Sequence, residues 1–212
     1  MAKNEYLSNF MWRFFERWGA QGVSFLVSIV LARLLDPDAY GTIALVTVFT
    51  IIINIILDSG FGNALIQKKD ADDLDFSSVF FFNVLLSVIL YFILFSFAPL
   101  IESFYSARGL CSVVRVLGLS VIISGVKNIQ QAYVSKNMMF KKFFFSTLGG
   151  TICSAVIGIL LACYGFGVWA LVAQYLSNAL IDTMILWCTV PWKPSFRFSM
   201  NRIRKLLPFA CR

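Results

Sequence analysis

Residues 111–135, CSVVRVLGLSVIISGVKNIQQAYVS, are apolar enough for a bilayer, yet they carry Ser120, Ser124, Lys127, Asn128, Gln131 and Ser135. Counted from Ser120, the other five stand at offsets of 4, 7, 8, 11 and 15. At about 100° per residue these positions share one side of a helix, within roughly a 100° arc. The opposite side is Leu, Val and Ile. Polar groups in hydrocarbon cost free energy unless something solvates or pairs them. The stripe is therefore expected to face other helices or a water-filled cavity. Ser, Asn and Gln alone would suit interhelical hydrogen bonds. Lys127 shifts the expectation toward a cavity or substrate path, because an ionisable group inside the membrane points to function.

The surrounding chain fits this reading. It has 212 residues, 59% hydrophobic and 14% charged, with a mean hydropathy of +0.80. That is more apolar surface than a soluble domain uses. Six apolar runs account for it, at about 12–35, 40–57, 77–98, 111–135, 143–163 and 167–190. Each is near the roughly 20 residues that cross about 30 Å of hydrocarbon. The expected class is an all-α integral membrane protein without a separate soluble domain. Residues 1–198 form the transmembrane unit, and 199–212 form a short amphipathic helix on the membrane surface. The first run carries Arg13, Glu16 and Arg17 at its start and no small-residue cleavage site after it, so it is expected to stay as a membrane helix.

Local signals mark the segment ends. Asp36-Pro37-Asp38 is a turn, since proline restricts its own and the preceding residue. Asp58-Ser59-Gly60-Phe61-Gly62 breaks the second run, and the charged stretch from Gln67 to Asp75 is expected to be a solvated loop. It lacks the alternating ligands, central glycine and terminal glutamate of a calcium loop. Phe80, Phe81 and Phe82 suit lipid contact, Pro99 is expected to end the third run, and Leu100 to Leu110 form a link. Thr147, Gly150, Thr151, Ser154 and Gly158 make a small-residue face for tight helix packing. Trp187 and Trp192 mark an interface level. The cysteines Cys111, Cys153, Cys163, Cys188 and Cys211 have no metal or redox spacing, and most sit in apolar runs as small hydrophobes.

The net charge of +7 gives orientation rather than nucleic-acid binding. Lys3, Arg13, Arg17, Lys68, Lys69, Lys136, Lys141, Lys142, Lys193, Arg197, Arg202, Arg204, Lys205 and Arg212 fall on one side, against Arg33 and Arg108 on the other. The positive-inside rule then gives six spans with both termini cytoplasmic. Gly41-Thr-Ile-Ala-Leu45 and Gly167-Val-Trp-Ala-Leu171 make a faint internal echo, as transporters often do.

The chain carries no phosphate loop, nucleophile elbow or zinc pattern, so no enzyme and no cofactor is expected. The candidate residues form polar stripes on four segments: Arg13, Arg17 and Gln21; Asn54 and Asp58; Arg115, Ser120, Ser124, Lys127, Asn128 and Gln131; Gln174, Asn178 and Asp182. Facing inward together, they would surround a basic chamber suited to an anionic substrate such as a phosphate-bearing headgroup. Arg13, Arg17, Asp58 and Arg115 equally suit the interface, where long side chains snorkel. Asp182 is a partner for a cation across the bundle.

Three stretches together resemble the polysaccharide flippases, the polysaccharide-transporter branch of the MATE-like exporter superfamily. They are Ala32-Arg-Leu-Leu-Asp-Pro-Asp-Ala-Tyr-Gly41, Leu57-Asp-Ser-Gly-Phe-Gly-Asn-Ala-Leu-Ile-Gln-Lys-Lys69 and Gly165-Phe-Gly-Val-Trp-Ala-Leu-Val-Ala-Gln174, with Lys136-Asn-Met-Met-Phe-Lys-Lys142 between them. The resemblance covers nearly the whole chain. It implies a six-helix lobe of a two-lobe transporter working by alternating access at the bacterial inner membrane. The implied cargo is an undecaprenyl-diphosphate-linked oligosaccharide for O-antigen, exopolysaccharide or capsule. Implied partners are membrane lipid, a second lobe or second copy, and polysaccharide polymerase machinery. The family has no fixed catalytic residues to carry over. Its members are about twice as long, so a partial form is expected. A drug or cation antiporter of the same superfamily would favour a more acidic chamber, and a non-transporting scaffold or inactive remnant would use the stripes for helix contacts alone.

Overall fold

The computed structural model describes residues 2–58, 61–68, 71–196, 199–200 and 202–203; in the first helix it describes side chains at 11, 12, 14 and from 18 onward. These residues form α1 (Ala2–Leu34), α2 (Pro37–Leu57), α3 (Phe61–Gln67), α4 (Asp73–Tyr105), α5 (Leu110–Lys136), α6 (Phe140–Cys163) and α7 (Val168–Thr189). Five helical stretches, beginning at Pro37, Asp73, Leu110, Phe140 and Val168, are long and apolar enough to cross a membrane. The apolar part of α1, Trp18–Leu34, is shorter. Phe25, Ile55, Leu85, Phe92 and Val156 are exposed around the outside, where lipid takes the place of a protein core. The chain is an all-α, multi-pass integral membrane protein.

The six apolar runs correspond to α1, α2 and α4–α7, with differences at their ends. The backbone is already helical from Ala2, where a polar lead was expected. Asp36, in extended conformation, precedes α2 with Pro37 in its first turn, as the turn signal requires. Pro99 does not end the third span: α4 passes through it to Tyr105. Proline removes one backbone hydrogen bond, but Ala98 and Ile101 on either side are buried. Unwinding there would strip more backbone pairs than the one lost, which hydrocarbon penalises. The link to α5 shrinks to residues 106–109. At the other end, Gly165 (φ 79°) and Gly167 (φ 56°) form the tight α6–α7 turn in a backbone region that favours glycine.

Packing runs in the order α1, α6, α7, α5, α4, with α2 lying across α5 and α7 and α3 against α5. Glycines set the closest approaches. A Cβ at Gly118 would stand 3.2 Å from Tyr91 and Leu94, and one at Gly125 would run into Ser87, so α4 and α5 meet nearly backbone to backbone. Across α6 and α7, a Cβ at Gly150 would stand 2.9 Å from Asn178 Oδ1 and one at Gly158 3.0 Å from Gln174 Cβ. The small-residue face of α6 therefore packs as its spacing suggests.

Two apolar clusters close the bundle. One is aliphatic, with Leu31, Val46, Val114 and Leu171, and lies at the end holding the α1–α2, α4–α5 and α6–α7 turns. The other is aromatic, with Phe61, Phe76, Phe80, Phe143 and Trp192, and lies at the opposite, basic end. Beyond α7 the chain turns back across the start of α4. Ser195 N donates to Ser77 Oγ at 3.0 Å, Ser199 N to Ser78 Oγ at 3.1 Å, and Gln130 Nε2 to the Trp192 carbonyl at 3.2 Å.

This returning segment corrects two expectations. Phe80 is buried against Trp187 and Trp192, and Phe81 stacks near Phe196 at 6.0 Å, so the Phe80–Phe82 run packs on protein rather than lipid. The stretch from Gln67 to Asp75, expected to be a solvated loop, is tied to the protein at Lys68 and Asp75, while Asp72 and Asp73 stay exposed and residues 69 and 70 lie outside the described residues. Asp75 is fully buried and accepts from Lys68 Nζ at 2.5 Å, Arg202 Nη1 at 3.0 Å and the Asp72 backbone N–H at 3.2 Å. In the segment expected as a surface helix, Arg202 joins this cluster and Ile203 is buried in the aromatic core; residues 204–212 lie outside the described residues.

Candidate functional site

On α5, Val113 and Leu117 are buried on the same face as the polar stripe, in the turns before Ser120, and Val121, Gly125 and Ile129 are buried beside it. The stripe itself, Ser120, Ser124, Lys127, Asn128, Gln131 and Ser135, is half-buried. Two consecutive residues on it tie α5 to its neighbours. Lys127 Nζ donates to Asp182 Oδ2 on α7 at 2.7 Å, and Asn128 Nδ2 donates to Asp58 Oδ1 at the end of α2 at 2.6 Å. Lys127 lies nine residues before the end of α5, about 14 Å along the helix.

The ion pair is mostly enclosed, more so at the acid than at the lysine. The Lys127 side chain is 24% exposed and that of Asp182 10%. Asp182 Oδ1 is buried without a hydrogen-bond partner. Desolvating both charges opposes their attraction, and the free oxygen leaves this pair incompletely satisfied. The free Asp182 oxygen can accept from an incoming hydroxyl, while the Lys127 ammonium, which spends one of its three N–H donors on Asp182, keeps the others for an anionic group.

Two hollows flank the pair. One, of about 250 Å³, is bounded by Asp58, Asn63, Asn83, Asn128, Gln131 and Ser135. The other is a groove between α1 and α2 with α6 and α7 as its floor. It comprises adjoining spaces of about 650 and 150 Å³ that share Ser24, Thr151 and Asn178. Gln21 and Trp18 line its wider part, and Tyr40, Gln174 and Tyr175 its narrower part. Several groove hydroxyls bond to their own helix carbonyls, as Ser28 does to Ser24 and Thr151 to Thr147, which leaves their lone pairs as acceptors.

The structure thus brings together Asp58, Lys127, Asn128, Gln131 and Asp182 around one site, and Gln21, Gln174 and Asn178 in the adjoining groove. Ser120 and Ser124 continue the α5 strip, and Asn54 is half-buried on α2. Arg115 stands apart: its guanidinium lies over the Phe95 ring on α4, 4.2 Å from the centroid. The Arg13 and Arg17 side chains lie outside the described residues. Sequence reasoning missed Asn63, Asn83, Tyr40 and Tyr175. Asn83, Ser87 and Tyr91 step by four through the most apolar segment, and that spacing marks the α4 face turned to α5. Among the described residues there is no group of three His, Cys, Asp or Glu that could hold a metal ion.

Comparison with known proteins decides the family. The profile described as "Polysaccharide biosynthesis protein" matches residues 30–212. The chain belongs to the polysaccharide biosynthesis protein family. Among its relatives in this family is the succinoglycan biosynthesis transport protein ExoT of Rhizobium meliloti (strain 1021), 26% identical over 202 residues, which are 95% of this chain and 41% of ExoT. The teichuronic acid biosynthesis protein TuaB of Bacillus subtilis (strain 168) is 30% identical over 167 residues, 76% of this chain and 34% of TuaB. The lipopolysaccharide biosynthesis protein WzxC of Escherichia coli (strain K12) is 23% identical over 195 residues, 89% of this chain and 39% of WzxC. The chain spans less than half the length of these family members. No solved structure matches it.

Proposed function

We propose that this chain supplies one lobe of a polysaccharide transporter that turns a lipid-linked oligosaccharide over between the leaflets of the bacterial inner membrane by alternating access. The observation that carries the reading is the Lys127–Asp182 pair, mostly enclosed among membrane helices with the lysine partly exposed and one carboxylate oxygen unpartnered. It offers a cation for a diphosphate, and the amide- and hydroxyl-lined hollows beside it offer partners for sugar hydroxyls. The names of ExoT, a succinoglycan biosynthesis transport protein, and of TuaB and WzxC, teichuronic acid and lipopolysaccharide biosynthesis proteins, support the same cargo class. The basic end of the bundle faces the cytoplasm by the positive-inside rule. Residues 1–198 form the lobe, and 199–212 lead toward a second lobe or a second copy that completes the chamber. The polymerase machinery takes the delivered unit.

The test is complementation of a bacterium lacking its polysaccharide flippase, using this chain extended by a related second lobe. Surface polysaccharide is expected to return, and Lys127→Gln in the same protein to lower it more than about tenfold, as expected when a charge-assisted contact to cargo is lost. Lipid-linked units trapped on the cytoplasmic side, with the protein present in the membrane, overturn the reading.

A further inference from the structure

We infer that the hollow between α2, α3, α4 and α5 is a binding subsite for a single sugar ring. This rests on the transporter reading above, which supplies a carbohydrate cargo. Its polar walls come from four elements: Asp58 at the end of α2, Asn63 on α3, Asn83 on α4, and Asn128, Gln131 and Ser135 on α5. Four carboxamides, one carboxylate and one hydroxyl give donors and acceptors side by side, the pattern that neighbouring hydroxyls of a sugar require. Size limits the occupant. At about 250 Å³ the hollow falls below the roughly 300–1,000 Å³ of drug-sized sites, so it holds one ring rather than a chain of them.

Asn83 supplies the second observation. It is 1% exposed, and its Oδ1 is buried without a partner. A buried acceptor without a donor is costly, and native proteins rarely leave one so. When the Asn83 carboxamide turns its oxygen toward the hollow that it lines, a sugar hydroxyl donating to Oδ1 removes that deficit. The single carboxylate argues against a divalent cation, which takes several charged oxygen ligands. Asp58 and Asn63 stand at the exposed edge of the hollow, and Asp58 accepts from Asn128, the residue that follows Lys127 on α5. The subsite therefore stands next to the cation that receives the diphosphate.

The experiment is saturation-transfer NMR on the full 212-residue chain in detergent micelles, with glucose, galactose, N-acetylglucosamine and mannitol offered singly. At least one ring sugar is expected to show transfer above an empty-micelle blank. Asn83→Leu and Gln131→Leu are each expected to weaken it at least about tenfold, as when a sugar hydroxyl loses its buried partner. Ile152→Ala, on the outer surface of α6, leaves it unchanged. Gln131 is half-buried at the rim, so its variant decides the matter if Asn83→Leu does not fold. No signal from any ring sugar, or one equal in the wild type and the rim variant, overturns the subsite. If the extended chain complements while the sugar signal is absent, the subsite falls and the transporter reading stands. A signal that depends on Asn83 or Gln131 without complementation separates them the other way.

Discussion

Among the described residues two buried acids are held against cations, and they are built differently. Asp75 is fully enclosed and both its oxygens are used: Oδ2 takes Lys68 and the Asp72 backbone N–H, and Oδ1 takes Arg202. Asp182 is nearly as buried, but only Oδ2 is engaged, by Lys127. The first acid binds three pieces of chain into one structure: the stretch after α3, the start of α4 and the segment beyond α7. The second spans two helices and leaves capacity for something else. Saturation marks a fastening, and incomplete satisfaction marks a place where a ligand can enter.

The largest expected effect tests that difference directly. Asp75→Ala should cost about 3 kcal/mol, the low end for breaking a buried pair, because Lys68 and Arg202 are partly exposed and regain water. Asp182→Ala should cost less, about 1 kcal/mol, because it removes one hydrogen bond where Asp75→Ala removes three, and takes the unpartnered oxygen with it, yet abolish rescue by the extended transporter. Thermal melting in detergent, read beside complementation, checks both. Equal losses of stability would erase the distinction between the two acids.

A second, smaller effect probes how the looser pair is held. Gly150 on α6 faces the α7 turn that carries Asn178 and Asp182, and an added Cβ would meet Asn178 Oδ1 at 2.9 Å and Asp182 Cβ at 3.0 Å. Gly150→Ala should therefore push α7 off α6 and cost about 2 kcal/mol, as overpacking does. It should also lengthen the contact between Lys127 and Asp182. Cross-linking yield between cysteines placed on α5 and α7 measures that shift. An unchanged yield would mean the pair does not depend on the glycine contact.

The two acids also differ in how visible they are in the sequence. Lys127 and Asp182 stand out because each interrupts an apolar run, and their pairing was open to inference. The apolar runs and the small-residue face of α6 were legible for the same reason: period and composition survive without tertiary context. Asp75 was not, since it sits among Lys68, Lys69, Asp70, Asp72 and Asp73, where charge suggests solvent. Only the spacing Asp72-x-x-Asp75, half of a helix-start capping pattern, hinted at order. The short helix α3 depends on burying Phe61, Ala64 and Leu65, and nothing local announces that. Phe80 is identical in type to a lipid-facing phenylalanine until the segment with Trp192 covers it. Asn83 was hidden because it makes, with Ser87 and Tyr91, only a sparse uncharged line in the most apolar span.

The smallest effect separates hydroxyls that fasten from hydroxyls that face a cavity. Ser77 is fully buried and receives the Ser195 N–H, so it belongs with the Asp75 fastening. Ser77→Ala should cost about 1 kcal/mol, the usual net worth of one such bond. Ser124 lies on the half-buried strip of α5 between Ser120 and Lys127, on the side of the looser pair. Ser124→Ala should stay within about 0.5 kcal/mol of the wild type, as substitutions at solvated positions do. The chemistry removed is the same hydroxyl in both, so any difference comes from surroundings alone. A Ser124 loss as large as that of Ser77 would make the stripe a helix-packing device, and the open side of α5 would lose its claim to face water or cargo.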